Sequence, residues 1–446
     1  MTAHPLLTAP IGASLVRLGR PTTLAGAAQA LASVADLYFV SWLGLDALAG
    51  VALALPLVLL TVTLASGLCG GMASAMGRAV NAQRREDARA LVKHCLVVAM
   101  LLATVFALFA WTCGPALYRR MGGEGAVLAR ATLYANTMFF ASFALWANVT
   151  MAALLRGGGS AAVPARCLAI AALVQAGLSG LLTLGFGEWH GLGVAGPGVA
   201  LMVTSTVSAW VQARVLWQGK LGFFPRLRRI RLQARLFRDF LRAGATAALA
   251  GLAVGLAALA VTGLVGSFGT AALAGVGIAL SLEQTLATLL LGLGAATTTM
   301  VGVATGARDG RRARQVALTG ALLGAVGLGA VGVLLAIGAP LWLRLFTADP
   351  GAIAAGAGYL SWMGPVFWAI GLGICLTFAC QGAGRGAWPI AAAVARLLAA
   401  AGGGWYAVHR LDLGLRGLFI AVATGVLVYA LIVALPLLLT PQRPRS

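Results

Sequence analysis

The sequence predicts an all-α polytopic membrane protein of twelve transmembrane helices in two pseudo-symmetric six-helix lobes. Of its 446 residues, 60% are hydrophobic and 10% charged, with a mean hydropathy of +0.94. A soluble domain carries about 25% charged residues, so this chain has too little charge to cover its apolar surface in water. Its apolar residues fall in twelve runs, each near or above the roughly 20 residues a helix needs to cross a bilayer. The two halves of the chain also match each other at an offset of 225 residues, which is the mark of a doubled scaffold.

The runs lie near 22–43, 47–76, 91–112, 126–155, 161–186, 192–217, 243–268, 271–304, 315–343, 352–381, 387–408 and 414–440. Arg17 and Arg20 precede the first run as they would in a signal peptide, but that run is long enough to span and recurs later, so it is expected to stay. Pro21, Pro56, Pro164 and Pro389 mark expected bends or helix starts. Between the sixth and seventh runs lies a basic stretch, 219–238, in which Arg226, Arg228, Arg229, Arg231, Arg235 and Arg238 alternate with Leu, Ile and Phe. It suits either an amphipathic segment on the cytoplasmic lipid surface or a solvated basic loop. It separates an expected first lobe, 1–218, from a second, 239–446.

Lys and Arg number 32 against 11 acids, a formal +21. In a soluble chain that excess would suggest nucleic acid. Here 26 of the 32 cations fall at the two termini and in the segments in and around alternate loops. That split sets both termini on the cytoplasmic side of a bacterial inner membrane, with lipids rather than nucleic acid as neighbours. A monomer is expected. The six cysteines show no metal-ligand spacing and read as small packing residues. The four histidines, near run ends, give no metal site, and no other cofactor is expected.

The repeat is clearest where composition alone would not produce it. Gly44 with Ala47-Leu48-Ala49-Gly50-Val51 matches Gly269 with Ala272-Leu273-Ala274-Gly275-Val276. Arg17 pairs with Arg242, Arg89 with Arg314, Pro115 with Pro340, Tyr134 with Tyr359 and Pro164 with Pro389. Six spans per copy is an even number, so both copies enter from the same side and are related by an axis along the membrane normal. A pair of this kind encloses a cavity between its lobes and exposes it alternately to each side, which is the plan of a transporter.

Nine of the eleven acids lie at loops or run ends, leaving Asp36 in the first span and Glu283 in the eighth. An ionisable group at membrane depth costs about 2.5–3.5 kcal/mol or more and normally faces a cavity or a partner. At the repeat offset Asp36 faces Val261 and Glu283 faces Val58, so the shared scaffold packs without either acid. Asp36 reads as functional ahead of a purely structural carboxyl. Glu283 stands open between a second functional acid and one that reaches polar groups near a helix bend. Gln29 and Ser33 share the helix of Asp36, and Asn148, Gln175, Ser179 and Thr183 lie in the fourth and fifth spans, as polar lining or as helix-packing residues. Phe39, Phe143, Trp146 and Trp368 can stack on a planar cation or simply pack.

Ser33-Val34-Ala35-Asp36 followed by Trp42-Leu43-Gly44-Leu45-Asp46-Ala47-Leu48-Ala49 resembles the first helix and turn of the multidrug and toxic compound extrusion (MATE) transporters. Gly275-Val276-Gly277-Ile278-Ala279-Leu280-Ser281-Leu282-Glu283-Gln284 resembles their eighth-helix segment, with Ser281 where an Arg is common. Gln381-Gly382-Ala383-Gly384 and Leu413-Gly414-Leu415-Arg416-Gly417 are similar to the end of helix ten and the turn into helix twelve. The resemblance runs from about Arg17 to about Val433 and is nearest to the DinF-like branch. It implies multidrug efflux of small amphipathic or cationic compounds by antiport against H+ or Na+, with Asp36 as the coupling carboxylate. That branch pairs this acid with Asn-x-x-x-Asp-Pro in helix five, where this chain reads Ser179-Gly180-Leu181-Leu182-Thr183-Leu184. The second acid is absent, and Thr246 stands for the usual Pro of helix seven. A proton on Asp36 alone is therefore the simpler expectation.

Three other classes are weaker. Gly177-Leu178-Ser179-Gly180 spells the G-x-S-G of an intramembrane serine protease, but a serine nucleophile needs a base, and no His is expected within a span. No G-x-x-x-x-G-K-[ST] motif is present for ATP-driven transport. A related lipid-linked oligosaccharide flippase would carry more cavity arginines, whereas here Arg396 is the one cation well inside an expected span.

Overall fold

The computed structural model describes residues 9–219 and 232–439, and no β-strand occurs among them. Among the described residues twelve helices are long and apolar enough to cross a membrane: α1 Ile11–Ser41, α2 Leu45–Asn81, α3 Arg85–Arg120, α4 Gly125–Gly157, α5 Ala162–Leu184, α6 Gly193–Trp217, α7 Ala234–Gly266, α8 Thr270–Gly306, α9 Gly310–Leu343, α10 Pro350–Gly382, α11 Ala387–His409 and α12 Gly414–Leu437. Their order and number are those of the apolar runs. Three begin well before the run does, α1 by one proline-containing segment and α3 and α7 by charged turns, because hydropathy registers the lipid-crossing part of a helix and not its polar ends. Pro21 and Pro56 lie inside α1 and α2. Of the basic stretch 219–238, residues 220–231 lie outside the described residues, while Arg235 and Arg238 sit in the first turns of α7.

The repeat is written into the helix boundaries. The starts of α8, α9, α10 and α11 lie 225 residues after those of α2, α3, α4 and α5, and three of the four ends do so too. The connection before α2 turns at Gly44 with φ 98°, and the one before α8 turns at Gly269 with φ 94°; only glycine takes that conformation without strain. The second copy is more broken. Between its two segments α8 is interrupted at Leu290, α10 tightens to a 3₁₀ turn at Gly364–Val366, and α11 widens to a π turn at Leu398–Gly403.

The chain packs as two compact units. Leu31–Ala274 forms unit A, and the residues before Leu31 join those from Gly275 onward as unit B. These units differ from the expected lobes, 1–218 and 239–446, and glycine explains the difference. In unit A, α7 lies directly on α2: a Cβ at Gly67 would sit 2.4 Å from the Ala248 nitrogen, and one at Gly71 would sit 2.2 Å from the Phe240 carbonyl oxygen. In unit B, the first half of α1 lies on α8 in the same way, with a Cβ at Gly19 or Gly26 falling 2.9 Å from the carbonyl oxygen of Gly292 or Thr288. The first helix of each repeat thus packs on the second helix of the other. The core of unit A gathers Met72, Met76, Leu91, Cys95, Trp146, Leu155 and Phe240. Of the six cysteines, four are buried, Cys167 is half-buried and Cys113 is exposed.

Candidate functional site

In unit A the last turns of α1 run beside α5. Gly180 leaves room for the Phe39 ring, since a Cβ there would come within 2.6 Å of Phe39 Cζ. Phe39 is therefore a packing contact between the two helices. That approach carries Asp36 to a stripe on α5 formed by Gln175, Ser179 and Thr183, which are four residues apart and so share one helix face.

The carboxyl of Asp36 is engaged on one side only. Gln175 Nε2 donates to its Oδ2 at 3.0 Å, while Oδ1 is buried with no hydrogen-bond partner. Ser179 lies beside it at 0% exposure, and Thr183 one turn on at 1%; both hydroxyls are buried without partners. Tyr134, buried on α4, is within electrostatic reach of the carboxyl. A buried polar atom left unpaired costs about 1–3 kcal/mol, so three of them on one patch are not a device for packing. At the repeat offset the four positions Asp36, Gln175, Ser179 and Thr183 read Val261, Ala400, Gly404 and Val408. The whole polar site, not only its acid, belongs to one copy.

Other expected residues are distributed differently. Gln29 lies two turns earlier on α1 and belongs to unit B, and Ser33 is an exposed residue of α1. Asn148 accepts a hydrogen bond from Gln212 Nε2 at 2.6 Å, joining α4 to α6, and Gln212 Oε1 is buried without a partner. In the sequence Gln212 is legible only as an amide inside the sixth run, with no local pattern that pairs it with Asn148. Trp146, expected as a substrate contact, is 0% exposed and sits in the unit A core with residues of α2, α3 and α4. Phe143 is half-buried against the same core. Trp368 is 45% exposed in unit B and rests on Gly329.

Glu283 is held quite unlike Asp36. Its Oε1 meets Arg396 at 3.1 Å and its Oε2 accepts from the Tyr359 hydroxyl at 2.8 Å, with the carboxylate side chain 6% exposed. Both oxygens and the charge are satisfied, by residues 76 and 113 positions away. Arg396 lies two residues before the π turn of α11 begins at Leu398. Two of the histidines lie within helices: His409 ends α11, and His94 is fully buried in α3. Its Nδ1 is 2.7 Å from the Ala90 carbonyl oxygen and its Nε2 accepts from the Gln233 backbone N–H at 2.7 Å. With both nitrogens on backbone, it is no base for Ser179.

A twelve-helix membrane bundle built on a doubled sequence is the plan of a membrane transporter. The MatE family model matches residues 21–181 and 247–405, and the chain belongs to that family. It is 26% identical over 333 residues to the probable multidrug resistance protein YoeA of Bacillus subtilis (strain 168), covering 74% of this chain and 72% of that one. It is 25% identical to an FAD transporter of Shewanella oneidensis, over 71% of this chain and 70% of its relative. An inward-facing multidrug resistance MATE transporter of the MOP superfamily superimposes with a TM-score of 0.80 at 25% identity, covering 92% and 93% of the two chains. The protein is a multi-pass membrane transporter and not an enzyme.

Proposed function

We propose that this chain exports small amphipathic or cationic compounds across the bacterial cytoplasmic membrane in exchange for protons, with Asp36 as the exchanging group and both termini in the cytoplasm. The half-engaged carboxyl carries the proposal. Gln175 orients one oxygen of Asp36 and leaves the other to take up or release a proton next to the Ser179 hydroxyl. Ionised, Asp36 attracts a cation into the helix bundle; protonated, it lets the cation go. Alternation between these forms couples export to the inward movement of protons, which supplies about 2.3 kcal/mol per charge for each 100 mV of membrane potential, plus the pH gradient. Sodium would call for several oxygen ligands. The groups beside Asp36 are instead the Gln175 amide N–H and the Ser179 hydroxyl, with no second carboxylate among the described residues, which supports the proton.

A lipid-linked oligosaccharide carrier is less well supported, because Arg396 is neutralised by Glu283 and not free for a phosphate. The Shewanella relative nevertheless makes a flavin dinucleotide worth including as cargo.

The test is export of a fluorescent cation, read as its accumulation in the lumen of energised everted vesicles, with proton and sodium gradients imposed separately. The wild-type chain should respond to the proton gradient and not to sodium, and Asp36→Asn should abolish the response at unchanged expression. Efflux that survives Asp36→Asn, or that follows sodium alone, would overturn the assignment. A flavin arm that transports where the cation does not would replace the cargo.

A further inference from the structure

At the arginine-rich ends of α2, α3 and α7, unit A holds a cavity of about 520 Å³ outside the Asp36 site, lined by Arg78, Arg84, Arg235, Arg238 and Arg242 with Asp87 and Asp239. The aspartates are already taken: Arg78 meets Asp239 at 2.8 Å, and Asp87 is shared by Arg235 at 2.6 Å and Arg84 at 3.5 Å. Arg238 and Arg242 are exposed and, among the described residues, have no hydrogen bond or ion pair. The lining therefore carries three more positive charges than negative, two of them uncommitted, over an apolar floor of Leu91 and Leu236.

The doubled scaffold shows that packing does not require most of this lining. At the repeat offset Arg78, Arg84, Arg235, Arg238 and Asp239 read Val303, Asp309, Pro10, Ala13 and Ser14, and Asp87 reads Arg312; of the charged lining only Arg242 recurs, as Arg17. In unit B, Asp309 instead caps α9 by accepting from the Arg312 backbone N–H at 3.0 Å, and the Arg312 side chain closes on the Ala9 carbonyl. One copy closes this junction with a cap and a backbone bond, while the other keeps it open and basic.

We propose that the unit A cavity binds the headgroup of an anionic phospholipid, with Arg238 and Arg242 on its phosphate. The volume is that of a small-ligand pocket. Its position at the ends of three spanning helices puts it level with headgroups, where basic pockets between helices bind phosphate-bearing lipids. The guanidinium fork matches phosphate geometry.

The test uses the full-length protein purified in a neutral detergent, with bound lipid read by native mass spectrometry and thermal unfolding. Cardiolipin or phosphatidylglycerol should remain bound and raise the unfolding midpoint; phosphatidylcholine and inorganic phosphate should not. Arg238→Gln with Arg242→Gln should weaken anionic-lipid binding roughly ten- to thirtyfold, on the scale of about 1 kcal/mol per surface arginine. Arg308→Gln with Arg311→Gln, at the matching end of unit B, should leave it unchanged. Should the first pair fail to fold, a salt titration of wild-type protein decides, since raised salt must release the lipid. Equal retention of phosphatidylcholine, protection by inorganic phosphate as strong as by lipid, or indifference to salt and to the arginine pair would each overturn the site.

Discussion

Asp36 and Glu283 give the same signal in sequence, an acid inside an apolar run that the repeat lacks, yet their surroundings assign them opposite work. Asp36 has one oxygen bonded and one unpaired, whereas Glu283 has an arginine on one oxygen and a tyrosine hydroxyl on the other. Two contrasting predictions follow from this. Asp36→Asn keeps an oxygen that accepts from Gln175, so detergent melting should stay within about 1 kcal/mol of wild type while coupled efflux is lost. Arg396→Met leaves a buried carboxylate unpaired and should destabilise the protein by about 3 kcal/mol, much of it regained by Glu283→Gln with Arg396→Met. Melting of the three variants checks both. The acids were legible because a carboxyl at membrane depth is expensive wherever it points. Their partners were not, because Gln175, Tyr359 and Arg396 reach them across 139, 76 and 113 residues, and no local pattern records such a meeting.

The helices themselves were legible, being bounded by lipid thickness and by the turns at Gly44 and Gly269. Which helix packs on which was not, although the glycines that decide it stood in the sequence as repeat matches. Gly19 and Gly26 pair with Gly244 and Gly251 at the 225 offset, and all four mark sites where a helix backbone comes against another. Small residues drive close packing in membranes where apolar side chains gain nothing over lipid. Two neighbouring glycines of α2 test this directly. A Cβ at Gly71 would sit 2.2 Å from the Phe240 carbonyl oxygen, and one at Gly70 meets nothing within 4 Å. Gly71→Ala should therefore destabilise by about 1–3 kcal/mol through overpacking. Gly70→Ala should be neutral or gain up to about 1 kcal/mol from helix propensity. Thermal unfolding in detergent separates them, and equal effects would contradict the packing assigned to α2 and α7.

Over the whole molecule, the repeat separates what the scaffold needs from what has been added to one copy. Boundaries, turns and glycine contacts recur at 225 residues, as does the tyrosine pair Tyr134 and Tyr359, one near Asp36 and one bonded to Glu283. The Asp36 site does not recur. Its counterparts Val261, Ala400, Gly404 and Val408 carry no donor, and α11 widens to a π turn over Leu398–Gly403 where α5 continues as a regular helix. An acid moved to the matching position thus meets the same fold with none of the same chemistry. Val261 is 4% exposed on α7, so Val261→Asp introduces a carboxylate at membrane depth without a Gln175 to hold it, at about 2.5–3.5 kcal/mol. In an Asp36→Asn background, Val261→Asp should lower the melting midpoint and should not restore proton-driven export into everted vesicles. If efflux did return, the acid alone would be sufficient wherever the scaffold places it, and the α5 stripe of Gln175, Ser179 and Thr183 would have no part in the exchange.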